Sequence, residues 1–243
     1  MSAKQEIMTN SRFEDIVHVL GPRIANGELQ PDEAITLADV EEEFECSRTV
    51  AREVQRSLEE CGFVIPQRRR GLVVQSLARW DVLNPRVIRW RLSGPQGDRQ
   101  MRSLIDLREA IEPMAAELAA QFAPRDLRDE LLNLAAELTR LGSVASSAEF
   151  MDADVRFHTL ILEASGNEMF VSLGSTIEAM LKWRAENMLM PPRPEPRALR
   201  DHEAIARAIY TGDAITAREA MRDIVVEVRT AFNSRKPNVL RFD

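Results

Sequence analysis

The 243-residue sequence predicts a mainly α protein in two parts: three short helices closed by a small β-hairpin, then a domain of helices alone. Three observations lead there. Apolar residues recur at helical spacing through most of the chain. Two short β-type runs, "FVIP" and "LVVQS", flank the basic stretch "QRRRG". From Leu104 onward no strand-like alternation interrupts the helical pattern.

The first helix rests on Phe13, Ile16, Val17, Leu20 and Ile24, which share one helical face, and Gly27 and Pro31 stop it. A second is expected from about Leu37 to Phe44. Thr36 opens it and Asp39 stands three residues on, the reciprocal pattern of a capping box. The third begins after Ser47, a hydroxyl N-cap, carries the stripe Val50, Val54, Leu58 and Cys61, and ends at Gly62. Three helices and a hairpin in this order make a winged helix-turn-helix, assigned to residues 1–76. Residues 77–100, "LARWDVLNPRVIRWRLSGPQGDRQ", read as a linker with one short helix, "SGPQGD" being the flexible join. The all-α bundle spans 101–233. It opens with "SLIDLREAIEPMAAELAAQFA", which has Pro113 inside it, and continues with "LRDELLNLAAELTRLG". Further helices are expected at about 149–164, 168–189, 197–211 and 214–232. The tail, 234–243, has little packing potential.

Composition narrows the class. Hydrophobic content of 44% and charged content of 29% suit a soluble globular protein. The first fifteen residues hold no apolar run, and no stretch approaches the roughly 18 apolar residues of a membrane span. Cys46 and Cys61 lack metal-type spacing and are expected to stay reduced, so a cytoplasmic protein is expected.

The net charge of −7 argues against general nucleic-acid binding, but its distribution is uneven. Residues 32–45 hold seven acids and no base, whereas residues 47–75 hold six arginines against three acids. Screening confines exposed charges to about 8–10 Å, so a local basic surface can bind double-stranded DNA whatever the total. At 5%, aromatics are too sparse for a single-strand stacking platform.

Within the basic segment, Arg48 and Arg52 share a face of the third helix away from its apolar stripe. An arginine fork matches two acceptors on a guanine edge at once. Ser47 and Thr49 sit where hydroxyls donate to phosphates near a helix N-terminus. Arg68, Arg69 and Arg70 form a wing tip, with Gly71 permitting the tight turn. Each group alone could be a solvated charge cluster; occurring together in this order, they point to a DNA reader.

Three histidines occur: His18, His158 and His202. His18, in the first helix, reads as a partly buried packing residue. Asp154 and His158 stand four apart on one helical face, and His202 lies on another helix. Two imidazoles and a carboxylate are a ligand set for Zn, Ni, Fe or Mn, yet spacing alone equally allows core hydrogen bonds.

Several stretches resemble a known family. "SRTVAREVQRSLEECGFVIPQRRRGLVV" is similar to the winged-helix reader of the GntR superfamily of transcription regulators. "DLREAIEPMAAELAA", "DVRFHTLILEASGN" and "DHEAIARAIYTGDAITAREAM" resemble the all-helical effector (FCD) domain of its FadR subfamily. "WDVLNPRVIRW" is similar to the linker of galactonate-type sugar-acid operon repressors in that group. The likeness runs from about residue 11 to 232. One departure falls in "TLADVEEEF", where Ala38 and Asp39 stand near the place of an arginine that contacts DNA in the family.

The resemblance implies a homodimeric repressor that binds an inverted-repeat operator and senses a small carboxylate, such as an aldonate. It implies a divalent metal, zinc foremost, held by Asp154, His158 and His202, with Ile224 where many members carry a fourth, histidine ligand. Arg108 is the expected partner of the effector carboxylate, and Asn167, Lys182 and Arg184 are weaker effector candidates. Two alternatives stand beside this reading. A two-histidine, one-carboxylate site also serves metal-dependent enzymes, and a winged helix can serve protein contacts alone.

Overall fold

The structure, a computed structural model, describes residues 3–143, 148–187, 189 and 193–234, with side chains from residue 12 onward. Of the expected tail, 235–243 lie outside the described residues. The chain divides into two compact units, residues 1–100 and 101–243.

The first unit runs α1 (Ala3–Ala25), β1 (Ala34–Ile35), α2 (Leu37–Glu43), α3 (Arg48–Glu60), β2 (Val64–Gln67), β3 (Gly71–Val74), a 3-10 turn (Leu77–Arg79) and α4 (Pro85–Leu92). The expected capping box is present: Asp39 N–H donates to Thr36 Oγ1 at 3.1 Å, and Thr36 N–H donates to Asp39 Oδ2 at 2.7 Å. Ser47 Oγ accepts from Val50 N–H at 3.3 Å and starts α3. Ile16, Val17, Leu20 and Ile24 of α1 pack with Val50, Val54 and Leu58 of α3, with Phe63 just before β2 and with Leu72 of β3. Burial pushes the Cys61 thiol up to about 11, so it behaves as a small apolar core group.

Two features differ from the sequence reading. The hairpin is part of a three-stranded antiparallel sheet of order β1-β3-β2. β1 pairs Ala34 with Val73, and Asp32 N–H and Glu33 C=O bond the backbone of Val74 at 3.0 and 2.8 Å. Two residues cannot show an alternating pattern, so this strand is set by tertiary pairing. The second feature is the segment expected to be a linker. Val87 and Trp90 of α4 are buried in the first unit's core. Arg86 donates to Ser57 Oγ at 2.8 Å and to Glu14 Oε1 at 2.7 Å. Gly21 is required by this packing, because a Cβ there would lie 2.5 Å from the Trp90 ring.

The second unit is all-helical: α5 (Gly97–Phe122), α6 (Arg125–Gly142), α7 (Ala148–Ala164), α8 (Glu168–Ser172), α9 (Gly174–Glu186), α10 (Pro196–Thr211) and α11 (Ala214–Ser234). α6 packs on α7 and α10, α7 also on α9, and α10 on α11. Small residues Ala115, Ala116, Ala119 and Ala120 give α5 a smooth face against a core that includes Leu131, Leu138, Phe157, Leu160, Ile205 and Met221. The helix expected over 168–189 is two helices, broken at Leu173. There Gly174 and flanking serines lower helix propensity, and Asn167 caps a separate first turn. No described helix is long and apolar enough to cross a membrane.

Candidate functional site

In the first unit, the residues expected to meet DNA lie at the start of α3 and in the wing. Arg48, Thr49 and Arg52 are exposed at the start of α3, one turn apart at Arg48 and Arg52. Arg48 rests on Glu41 of α2 at 3.1 Å while keeping most of its side chain in solvent. In the wing, Arg68 and Arg69 are exposed, and Arg69 adopts φ +68° at the tip. Arg70 is tied back, donating to Asp32 O at 2.9 Å and Gln67 Oε1 at 3.2 Å. Gly71 has φ +93°, and a Cβ there would lie 2.7 Å from Ile35 O, so both conformation and space require glycine. His18 proves largely exposed, 3.9 Å from Glu14 with its ring edge-on to Trp90. Its position on α1 is peripheral to the apolar stripe, so the expected burial does not occur.

In the second unit, α7 and α10 bring Asp154, His158 and His202 together, all buried. One ligand atom from each lies within 4.8 Å of the others. His202 Nε2 is 3.2 Å from Asp154 Oδ1, and His158 Nε2 is 3.9 Å from the same oxygen. The outer nitrogens determine what faces inward. His202 Nδ1 lies 2.6 Å from Ala198 O, which can only accept, so Nδ1 carries the proton. His158 Nδ1 lies 2.9 Å from Glu112 Oε2 and donates to that carboxylate. With Nδ1 engaged in this way, each ring turns its Nε2 toward the Asp154 carboxylate, and His158 Nε2 also lies 3.4 Å from Arg108 Nη2. His202 Nε2 makes no aligned hydrogen bond among the described residues despite its proximity to Asp154. A buried, unpartnered ring nitrogen beside a second imidazole and a carboxylate is what a divalent cation would satisfy, so these residues fit a metal.

Glu112, on α5, went unassigned to the site in the sequence reading. Burial alone would raise its pKa, but Arg108 and His158 beside it hold it down to about 2. Asp154 is likewise held well below the usual carboxylate range: burial opposes ionisation, but the His202 contact and the charges of His158, His202 and Arg108 overcome it. Arg108 is fully buried. Its Nε and Nη2 donate to Glu112 at 2.5 and 3.1 Å, and Nη2 lies 3.3 Å from His158 Nδ1. Its Nη1 has no partner among the described residues.

A cavity of about 200 Å³ opens beside this cluster, lined by Arg108, Asp154, His158 and His202, and by Arg184, Ile224 and Glu227 among others. Of the four effector candidates, Arg108 and Arg184 line it, and Asn167 and Lys182 do not. Asn167 is the N-cap of α8, its Oδ1 accepting from Met169 N–H at 3.0 Å. Lys182 pairs with Glu178 at 2.7 Å on the outer face of α9, whereas Leu181 and Arg184 share the inner one. Neither outer residue can reach a ligand in the cavity from its present contacts.

The pattern of the FCD domain matches residues 103–227, and that of the bacterial regulatory proteins of the gntR family matches residues 13–74. The galactonate operon transcriptional repressor of Escherichia coli (strain K12) is 28% identical over 216 residues, covering 88% of this chain and 93% of that protein. The HTH-type transcriptional regulator LutR of Bacillus subtilis (strain 168) is 25% identical over 205 residues, covering 82% and 90%. Among solved structures, that of Lar, which controls the agr system of Listeria monocytogenes, aligns with a TM-score of 0.62. Its identity is 18% over 91% of this chain and 96% of that one, a likeness of fold.

Proposed function

Because the chain belongs to the GntR family of transcription regulators and carries its FCD domain, we propose that it is a metal-dependent repressor that senses a sugar acid of the aldonate class. The family and the matched relatives are transcription regulators, not enzymes, which sets aside the enzymatic alternative. GntR regulators bind DNA operators and typically act as dimers, and FCD domains commonly bind a metal. The observation that carries the finer reading is a cavity lined by His158, His202, Asp154 and Arg108, where His202 Nε2 and Arg108 Nη1 have no hydrogen-bond partner among the described residues.

His158 and His202 would hold the ion through Nε2 and Asp154 through its carboxylate, zinc suiting this nitrogen-rich set best. The bound ion supplies a Lewis-acid site for a carboxylate or an α-hydroxyl oxygen. Ile224 contributes no ligand atom, leaving coordination positions for the effector. Arg108 Nη1 donates to the effector carboxylate while Glu112 keeps the rest of the guanidinium fixed. Arg184 lines the same cavity and adds positive charge to it.

In the first unit Arg48, leaving Glu41 for the groove, and Arg52 read base edges, and Ser47, Thr49 and the wing residues Arg68, Arg69, Arg70 and Gly71 meet the backbone. Two copies bind an inverted repeat, since one small reader contacts too few base pairs for useful specificity.

The test is operator binding on the DNA upstream of the protein's own gene, with and without D-galactonate. Wild-type protein changes affinity on adding the acid. His158→Ala keeps ligand-free binding but loses both metal and response. An undiminished galactonate response in the metal-free variant overturns the reading.

A further inference from the structure

Arg108 Nη1 and His202 Nε2 are not the only unsatisfied atoms at the cavity. On its α11 wall, Glu227 Oε2 is buried and has no hydrogen-bond partner among the described residues. The cavity residues of α11 are Ile224, Glu227, Val228 and Ala231, so Glu227 is the one polar side chain this helix offers. Glu195 lines the same cavity. Burial comes first in pushing the Glu227 carboxyl up from its ordinary range, and the charges of Asp201 and Glu195 add to it. Arg197 offsets this only in part, being paired with Asp223 at 2.7 Å and lying 3.6 Å from Asp201.

The cavity thus makes two opposite demands. The Arg108 guanidinium, which only donates, needs an acceptor. Glu227 Oε2 needs a donor, in a region already crowded with acids, where a further anion would be repelled. A ligand that meets both bears a carboxylate at one place and hydroxyl donors at another. A site built to bond a hydroxyl rejects an analogue that cannot supply it, because the protein group is then left buried and unpaired.

We infer that Glu227 is the specificity-determining residue of this site: it accepts hydrogen bonds from the hydroxyl end of a polyhydroxy monoacid and excludes diacids of the same carbon chain. This rests on the sugar-acid reading above and deepens it.

The test uses full-length protein loaded with one equivalent of zinc and titrated calorimetrically with D-galactonate and with D-galactarate, in which the terminal hydroxymethyl is a second carboxylate. Wild type binds galactonate at least tenfold more tightly than galactarate. Glu227→Gln keeps an acceptor but removes the charge, so the preference falls at least fivefold, through tighter galactarate binding. Glu227→Leu loses at least tenfold in galactonate affinity, melting curves establishing that each variant folds. Galactonate binding to wild type with the preference unchanged in both variants overturns the role of Glu227 and leaves the sugar-acid reading standing. Binding of neither acid to wild type overturns both.

Discussion

A histidine becomes a metal ligand only when something else holds its other nitrogen, and here the two devices differ. His202 is oriented by a carbonyl of its own helix, Ala198 O, four residues back. His158 is oriented by Glu112 from another helix, a charged partner that also raises the basicity of the ring. Removing that charge while keeping the shape, as in Glu112→Gln, is expected to lower metal affinity by about 10–100-fold. Competition against a chromogenic zinc chelator measures it, and an unchanged affinity would deny Glu112 this positioning role. At the reader, Arg48→Ala is expected to cost roughly 1–3 kcal/mol in operator binding and to relax base preference at one position in each half-site. Arg69→Ala should instead weaken all sequences alike and reduce the salt slope by about 1; fluorescence anisotropy on operator and scrambled DNA separates the two. Single residues were legible where chemistry and spacing coincide, as in Asp154 and His158 on one helical face. Glu112 was visible only as an i,i+4 partner of Arg108, because its contact with His158 spans two helices that no spacing relates. Lys182 and Arg184 could not be ranked without knowing which face of α9 turns inward.

The elements themselves were read well where their ends carry local chemistry. Thr36 and Asp39 announce α2, and Ser47 announces α3, because each cap is a contact within four residues. Thr36→Ala is expected to destabilise the first unit by roughly 1 kcal/mol, seen as a lowered denaturation midpoint. The Thr36 backbone and hydroxyl bonds hold the Asp39 carboxyl below its ordinary 3.8. Its contribution is therefore fully present above that value and lost as pH falls through the lower folded one. Thr36→Ala should accordingly narrow the stability difference between pH 5 and pH 2.5, and a difference that stays the same would contradict the capping account. What remote partners define escaped the sequence: β1 exists because β3 offers an edge, and the short helix expected in the linker, α4, shows its packing only when Trp90 is seen against Gly21. Trp90→Ala should cost roughly 3–5 kcal/mol if that packing holds, measured by urea denaturation; a loss under 1 kcal/mol would return α4 to the status of a connector.

At the scale of the whole molecule, a GntR domain and an FCD domain share one chain, and under the proposed function a ligand can move the reader only through a difference in its affinity for two arrangements of the protein. The coupling is reciprocal: whatever factor the effector takes from operator affinity, operator takes from effector affinity. In the proposed function, metal and effector binding both converge on the three buried residues of α7 and α10. The most direct measurement is therefore the metal content of purified full-length protein, by elemental analysis beside an Asp154→Ala variant that binds operator. One divalent ion per wild-type chain, zinc foremost, and none in the variant is the predicted result. Wild-type protein that takes up no metal even after incubation with excess zinc, nickel, iron(II) or manganese, or a variant that retains a full equivalent, would contradict it.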